Sequence, residues 1–379
     1  MVSVALTSNY RLQRTVIRHR VRAASALFHC AHAARWTAQR AAAEPGRWAS
    51  GDPIDAVRTC LIGLAIAALA LGGVISPAAA VEWGNPTPEQ AARCEKQSNP
   101  KDQNDCSWAY SVKGLKFPDE AEEPGFFTNT ARMGIFRPSG SGPFPALILL
   151  HTCAAVDFDP RHMPYWVSQA LKAGYAAFVV DSWSQRGISE HCRSSPTGFL
   201  PIHIAVRTRD AYDALEHLAG FDFIDKSRIA AIGFSNGGRV SYQLARKAVR
   251  EMYSRSALRY AATIAVYGRC YIPQRGITFL QEDVDSPVLS LLGELDEDGD
   301  PKECVPRLQA LSAKGVAVEW HVFPKTGHAW DQPRNSPPRT VSYLGNPDGV
   351  LFAYDSQVTE ATREKVFEFL ARHLGKSKR

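Results

Sequence analysis

The sequence predicts a doubly wound α/β fold, a mainly parallel sheet with helices on both faces. Three observations carry that expectation. Short apolar runs at 146–150, 176–180 and 262–266 are too brief for helices and lack polar alternation, which suits strands buried on both faces of a parallel sheet. Amphipathic stretches with helical spacing stand between such runs. From about residue 129 the alternation of strand and helix continues without a second break in composition, so one domain accounts for it.

Taken in order, residues 1–56 are rich in Ala and Arg, nearly lack acid and show no apolar periodicity. They are expected to be a disordered or non-native leader, with the native start near Val57, because no Met occurs between Met1 and Met133. Residues 57–80 read as a signal peptide: Arg58, the uncharged run LIGLAIAALALGGVI, then Pro77 and Ala78 to Ala80, with cleavage after Ala80. An uncleaved anchor is the alternative, but the run is shorter than the roughly 20 residues a membrane span needs and it ends in proline. Export to the periplasm or beyond follows, with no stable membrane association after cleavage. Residues 81–128, polar and proline-rich around Cys94, Cys106 and Trp108, form an N-terminal extension.

The catalytic domain is expected at 129–379. Its predicted elements are a strand at 146–150, a helix at 166–173 closed by Gly174, a strand at 176–180 and a helix at 205–218 closed by Gly220. A strand at 229–232 leads into a helix from Val240, on which Leu244, Ala248 and Met252 recur every four residues. Strands near 262–266 and 288–292, a helix around 305–311, an alternating strand through Val316, Val318, Trp320 and Val322, and a helix at 363–374 stopped by Gly375 complete the series.

Composition excludes some partners. The net charge of +6 belongs to the first 80 residues, which hold nine Arg and three acids; the remainder carries equal numbers of each sign. No case for a nucleic-acid partner survives that division. Six cysteines lie beyond the leader, an even number with no zinc-like spacing, so disulfides suited to an oxidising compartment are expected. Cys94 and Cys106 suit a local bridge. Cys153 with Cys192, and Cys270 with Cys304, each follow adjacent strands and suit bridges around a site, with other pairings left open. Neither a metal nor a cofactor is expected.

The chemistry is concentrated in three short segments. In IAAIGFSNGGRV, Gly233, Ser235 and Gly237 spell G-x-S-x-G on a strand-to-helix corner, where the turn is too tight for flanking side chains and the serine hydroxyl is pushed out above the sheet. A glycine-rich turn with a capping serine is the plainer alternative. In SLLGELDEDGDP, Glu294, Asp296, Asp298 and Asp300 follow a strand end, and one acid there is suited to orient a histidine, with a solvated acidic turn as the plainer alternative. Calcium is a competing use for these carboxylates, but an EF-hand needs Gly and Glu where this chain has Pro301 and Arg307. In FPKTGHAWD, His328 again follows a strand. His321 sits inside a strand, and His151 and His191 precede the serine, so they suit the base less well.

These segments, together with LILLHTCAAV, VVDSWSQRG and the closing YDSQVTEATREKVFEFLARHL, resemble the dienelactone hydrolase family of α/β-hydrolases over about residues 130–374. The resemblance implies Ser235 as nucleophile, Asp296 as acid, His328 as base and the backbone N–H groups of Cys153 and Asn236 as the oxyanion hole. Two departures stand out. The enzymes that give the family its name use a cysteine nucleophile assisted by a glutamate, where this chain has Ser235 and Thr152, which argues against dienelactone itself as substrate. The loop HTCAA also stands where relatives commonly have glycines. Arg186 and Gly187 match the family's Arg-Gly, leaving Arg186 to bind substrate or to brace Asp181. Trp183 and Trp330 stand in or beside the loops expected to build the pocket, either lining an acyl site or covering the core. The expected activity is hydrolysis of a small ester or lactone through an acyl-enzyme. The alternatives are a serine peptidase or acyltransferase on the same fold, or a non-catalytic secreted binding protein.

Overall fold

The structure, a computed structural model, describes residues 82–123, 132–188, 192, 204–272, 276–343 and 346–375, all within one compact unit. The expected leader and signal peptide, and His191, lie outside the described residues. The main sheet is built from β1 (Ala121–Glu122), β2 (Gly134–Phe136), β3 (Phe144–Leu150), β4 (Ala176–Val180), β5 (Ile224–Phe234) and β6 (Ala262–Val266). Two short strands, β7 (Tyr271–Ile272) and β8 (Ile277–Thr278), pair with each other, and β9 (Val288–Gly293) and β10 (Val318–Phe323) return to the main sheet. Its order is β1-β2-β4-β3-β5-β6-β9-β10. Every pairing is parallel except β2 with β4.

Burial explains why the central strands read as unbroken apolar runs. All residues of β3, β4 and β6 are buried, because helices cover both faces and no position faces water. Leu147, Leu149, Ala230 and Ile232 point to one side, with Trp166, Val167, Val366 and Leu370. Ala146, Ile148, Leu150 and Ala231 point to the other, with Ala211, Leu215, Val240 and Leu244. The chain runs from β3 to β4 on one side, then crosses back to β5 on the other. That reversal leaves a crevice at the carboxyl ends of β3 and β5, where ligands gather in such sheets.

Among the described residues the helices are α1 (Pro88–Glu95), α2 (Pro100–Tyr110), α3 (His162–Lys172), α4 (Ile204–Leu218), α5 (Asn236–Leu244), α6 (Lys247–Tyr253), α7 (Pro301–Ala313) and α8 (Ser356–Leu374). Their starts follow local chemistry: Thr87 and Gln90 form a capping box on α1, and Asn99, Asp300 and Asp355 cap α2, α7 and α8. The single helix expected from Val240 through Met252 is instead two. Arg246 is extended at φ −85° and ψ 132°, and its guanidinium reaches Asp283 at 2.9 Å and Gln281 at 3.1 Å. Asp283 also accepts the backbone N–H of Ala248 at 3.1 Å, so a residue from a distant loop caps α6. A tertiary partner overrides a sequence with good helical periodicity.

Disulfides join Cys94 to Cys106, Cys153 to Cys192, and Cys270 to Cys304, the pairings expected. The first ties α1 to α2. The extension carrying them packs on the domain: Arg93 donates to Ser254 O at 2.8 Å and the Tyr110 hydroxyl to Met252 O at 2.9 Å. A hairpin of β11 (Arg339–Tyr343) and β12 (Asn346–Phe352) lies in the long segment before α8. Among the described residues no helix is long and apolar enough to cross a membrane.

Candidate active site

Ser235 sits between β5 and α5 with φ 53° and ψ −111°, a left-handed conformation that a non-glycine residue adopts only at a cost of about 1–3 kcal/mol. The flanking glycines explain how the corner closes. A Cβ on Gly233 would stand 2.0 Å from Gly237 O, and one on Gly237 would stand 2.2 Å from Leu150 O. Only glycines let α5 start that close to β3 and β5.

His328 reaches this serine from the loop after β10. Its Nε2 is 2.9 Å from Ser235 Oγ, and its Nδ1 is 2.8 Å from Asp296 Oδ2, in the loop after β9. Asp296 is itself fixed, since its Oδ1 accepts the N–H groups of Asp298 and Gly299, each at 2.9 Å. An ionised carboxylate can only accept, so Nδ1 carries the proton and Nε2 is left to accept from the serine hydroxyl. Ser235, His328 and Asp296 are 5%, 2% and 1% exposed. Burial alone would lower the His328 pKa; the Asp296 carboxylate and its hydrogen bond outweigh this and hold it above the ordinary imidazole value. The ring is also held in place by Tyr267 and Phe352, with centroids at 4.9 and 5.0 Å.

The other acids of the 294–300 loop each have a partner. Asp298 pairs with Arg239 at 3.1 Å and Arg269 at 2.7 Å, Asp300 caps α7, and Glu294 accepts from Lys325 N at 2.7 Å. Behind His328, Tyr267 at φ 41° donates to Asp331 Oδ1 at 2.6 Å, while Trp166 and His162 reach Asp331 Oδ2 at 2.8 and 3.0 Å.

Cys153 and Asn236 lie on adjacent segments, because α5 begins against the carbonyls of Leu150 and His151. The remaining expected residues take structural partners. Arg186 is buried, forks onto Asp210 at 2.6 and 2.8 Å and donates to Ser182 O and Lys113 O. It braces Asp210 and not Asp181, whose carboxylate instead takes the N–H groups of Trp183 and Ser184 and closes its own turn. Both Nη atoms of Arg186 are thereby used within the protein, and its side chain is 5% exposed. Trp330 is fully buried in the core and donates to Thr362 Oγ1 at 2.9 Å. Trp183 is also fully buried and donates to Cys153 O at 3.0 Å, so it supports the loop after β3 from behind. A small cleft bordered by Thr152, Val156, Phe158, Met163 and Gln332 opens beside that loop.

The sequence reading missed Arg207 of α4, which is buried against the same loop and Asn236. The sequence marks only its burial: Arg207 precedes Ala211, Ala214 and Leu218 at helical spacing, on the stripe that faces the core, and nothing there names its partners.

A mostly parallel sheet wound on both sides, with a glycine-flanked serine turning from its fifth strand into a helix, is the architecture of an α/β-hydrolase. The model of the dienelactone hydrolase family matches residues 132–374, and the chain belongs to that family. Its members are hydrolases of small esters and lactones. Among similar sequences, a protein of Escherichia coli O157:H7 named as a carboxymethylenebutenolidase is 25% identical over 234 residues, covering 57% of this chain and 81% of that one. A protein of the same name from Methylorubrum extorquens is 25% identical over 206 residues, 51% of this chain and 65% of its own length. A Klebsiella pneumoniae structure named for dienelactone hydrolase superposes with a TM-score of 0.48 at 19% identity, covering 63% of this chain and 93% of that one.

Proposed function

We propose that this chain is an exported serine hydrolase that cleaves a small carboxylic ester or lactone through an acyl-enzyme. His328 Nε2 takes the proton of Ser235 Oγ as that oxygen attacks the substrate carbonyl, and Asp296 holds the imidazole in the tautomer this requires and stabilises the imidazolium that forms. The negative charge on the carbonyl oxygen is met by the backbone N–H groups of Cys153 and Asn236. A donor fixed in place before charge develops is worth on the order of 3 kcal/mol, about a hundredfold in rate. His328 then returns its proton to the leaving alcohol, and a water activated by the same imidazole releases the acid. For a lactone, the alcohol and the acid leave as one molecule.

One observation carries the reading: the unbroken hydrogen-bond chain from Ser235 through His328 to Asp296, at 2.9 and 2.8 Å, starting from a serine in a strained corner. Three disulfides support export, since such bonds persist in oxidising compartments. The proposal is tested with p-nitrophenyl esters and a fluorophosphonate probe. The wild type should turn over the esters and take the label at Ser235, and Ser235→Ala should lose about a millionfold in kcat with its fold intact. Ester turnover that survives in purified Ser235→Ala would exclude this serine; cleavage of chromogenic peptides in preference to esters would point to a peptidase.

A further inference from the structure

We infer that Arg207 is a positioning residue for the oxyanion hole, its guanidinium fixing the plane of the Thr152–Cys153 peptide and tying that peptide to Asn236. The inference rests on the proposed hydrolase reading and adds to it a residue outside the hydrogen-bonded trio. Arg207 stands on α4 and is 2% exposed. Its Nη2 donates to His151 O at 2.7 Å; its Nη1 donates to Asn236 Oδ1 at 2.5 Å and lies 3.4 Å from Thr152 O. All three acceptors belong to the two segments that carry the proposed oxyanion donors. The guanidinium also stacks over the Trp183 ring at 4.9 Å, and Trp183 in turn holds Cys153 O at 3.0 Å.

The consequence follows from peptide geometry. The Thr152 carbonyl and the Cys153 N–H are the two ends of one peptide group, and in a trans peptide they point in opposite directions. Holding Thr152 O toward Arg207 therefore turns the Cys153 N–H away from Arg207. If that peptide rotated, a carbonyl oxygen would replace a donor in the oxyanion hole, and attraction would become repulsion. A cation on the carbonyl also polarises the same peptide, making its N–H the stronger donor.

A purely structural pin does not account for this choice of residue. Among the described residues, Asp210 is claimed by Arg186 and Arg209, and no carboxylate forms an ion pair with Arg207. A buried unpaired cation costs several kcal/mol unless its donors are well used. Burial, with Asp210 and Asp181 opposing it, pushes the Arg207 pKa down to about 9, so the group stays charged at neutral pH. A neutral side chain would hold α4 against this loop at lower cost; the fork reaches three carbonyl-type oxygens at once.

The test uses Arg207→Met, which keeps the stem without the fork, and Arg207→Lys, which keeps the charge. Rates are normalised to sites titrated by the fluorophosphonate. Arg207→Met should lose roughly a hundredfold in kcat, with KM within about twofold and the acid limb of the pH profile unmoved. Phenylboronic acid, which forms a tetrahedral serine adduct, should weaken in proportion to the loss in kcat/KM. Arg207→Lys should fall by about tenfold or more and carries the same test if the Met variant does not fold. Wild-type kcat per titrated site, a loss confined to KM, or unchanged boronate affinity would overturn the inference. Failure of the wild type to hydrolyse esters or take the label would instead sink the hydrolase reading. Crystal structures then decide Arg207 alone: a rotated Thr152–Cys153 peptide in Arg207→Met supports the inference, and an unmoved one ends it.

Discussion

At Ser235 the backbone is held at φ 53°, and glycine is the one residue that adopts this without strain. Ser235→Gly and Ser235→Ala both remove the hydroxyl, so their difference is the strain at this corner less the extra freedom glycine gives the unfolded chain. Glycine should be the more stable by about 1 kcal/mol in urea unfolding, despite the greater freedom it gives the unfolded chain. An alanine variant more stable than the glycine one by about 0.4–1 kcal/mol, the amount that unfolded-chain freedom alone gives, would show that the corner stores no strain. His328 gives a second prediction. Its pKa is held above the ordinary value, and the proposed mechanism requires it neutral to act as a base, so kcat/KM should fall on the acid side with a midpoint above 6.5. Asp296→Asn removes the charge that raises it and leaves the imidazole free to take the wrong tautomer. The midpoint should move down and kcat should drop by about ten-thousandfold. Ser235 and His328 were legible because glycine spacing and strand ends mark them. Arg207 was not, because the carbonyls it serves are 55 residues or more away from it or belong to another element; an arginine on an apolar stripe says only that some partner waits.

The corner between β5 and α5 has no room for side chains at its glycines. A Cβ on Gly237 would meet the backbone oxygen of Leu150 at 2.2 Å, and β3 is hydrogen-bonded on both sides and cannot retreat. Gly237→Ala should therefore destabilise by about 3 kcal/mol in urea unfolding. Gly315→Ala, at φ +80° with nothing within 4 Å, meets only conformational strain and should cost about 1 kcal/mol. Equal losses at the two positions would remove close packing as the reason for the glycine. The same division between local and distant causes governs what could be read of the elements. Strands β3, β4 and β6 appear in the sequence as apolar runs because helices cover both sheet faces. The break between α5 and α6 does not appear, because Asp283, which caps α6, comes from elsewhere in the chain. Strand β2 is three residues long and its pairing with β4 is antiparallel, so neither periodicity nor the crossover rule points to it.

Across the molecule, buried titratable groups couple the fold to pH in opposing directions. His151 is fully buried, with Nδ1 at 2.8 Å from Ala154 O and Nε2 accepting from Ser182 N, a pattern that only the neutral ring satisfies. Burial, with Arg207 adding to it, pushes its pKa down to about 3. The unfolded chain therefore takes up this proton first, and the stability that His151 contributes is complete above about 6.5 and declines as pH falls toward 3. The half-buried His321, also lowered by burial, acts in the same sense. Asp213 does the reverse. Burial, opposed by Arg209, raises its pKa to about 6, so the folded state holds a proton that the unfolded state lacks until pH falls below about 4. Between pH 6 and 4.5 the two effects offset one another in the wild type. Carboxylates with lowered values, such as Asp181, Asp210 and Asp331, keep their contribution throughout this window because it is lost only at more acid pH. His328, raised in the folded state, loses its contribution only on the alkaline side. Asp213→Asn removes one side of the balance. Its unfolding free energy should fall with acidification more steeply than that of the wild type, approaching the limit of about 1.4 kcal/mol per pH unit for one proton. Urea titrations at pH 6.5, 5.5 and 4.5 measure this directly, and parallel curves for the two proteins would show that Asp213 is an ordinary carboxylate and that the acid sensitivity of the fold has another source.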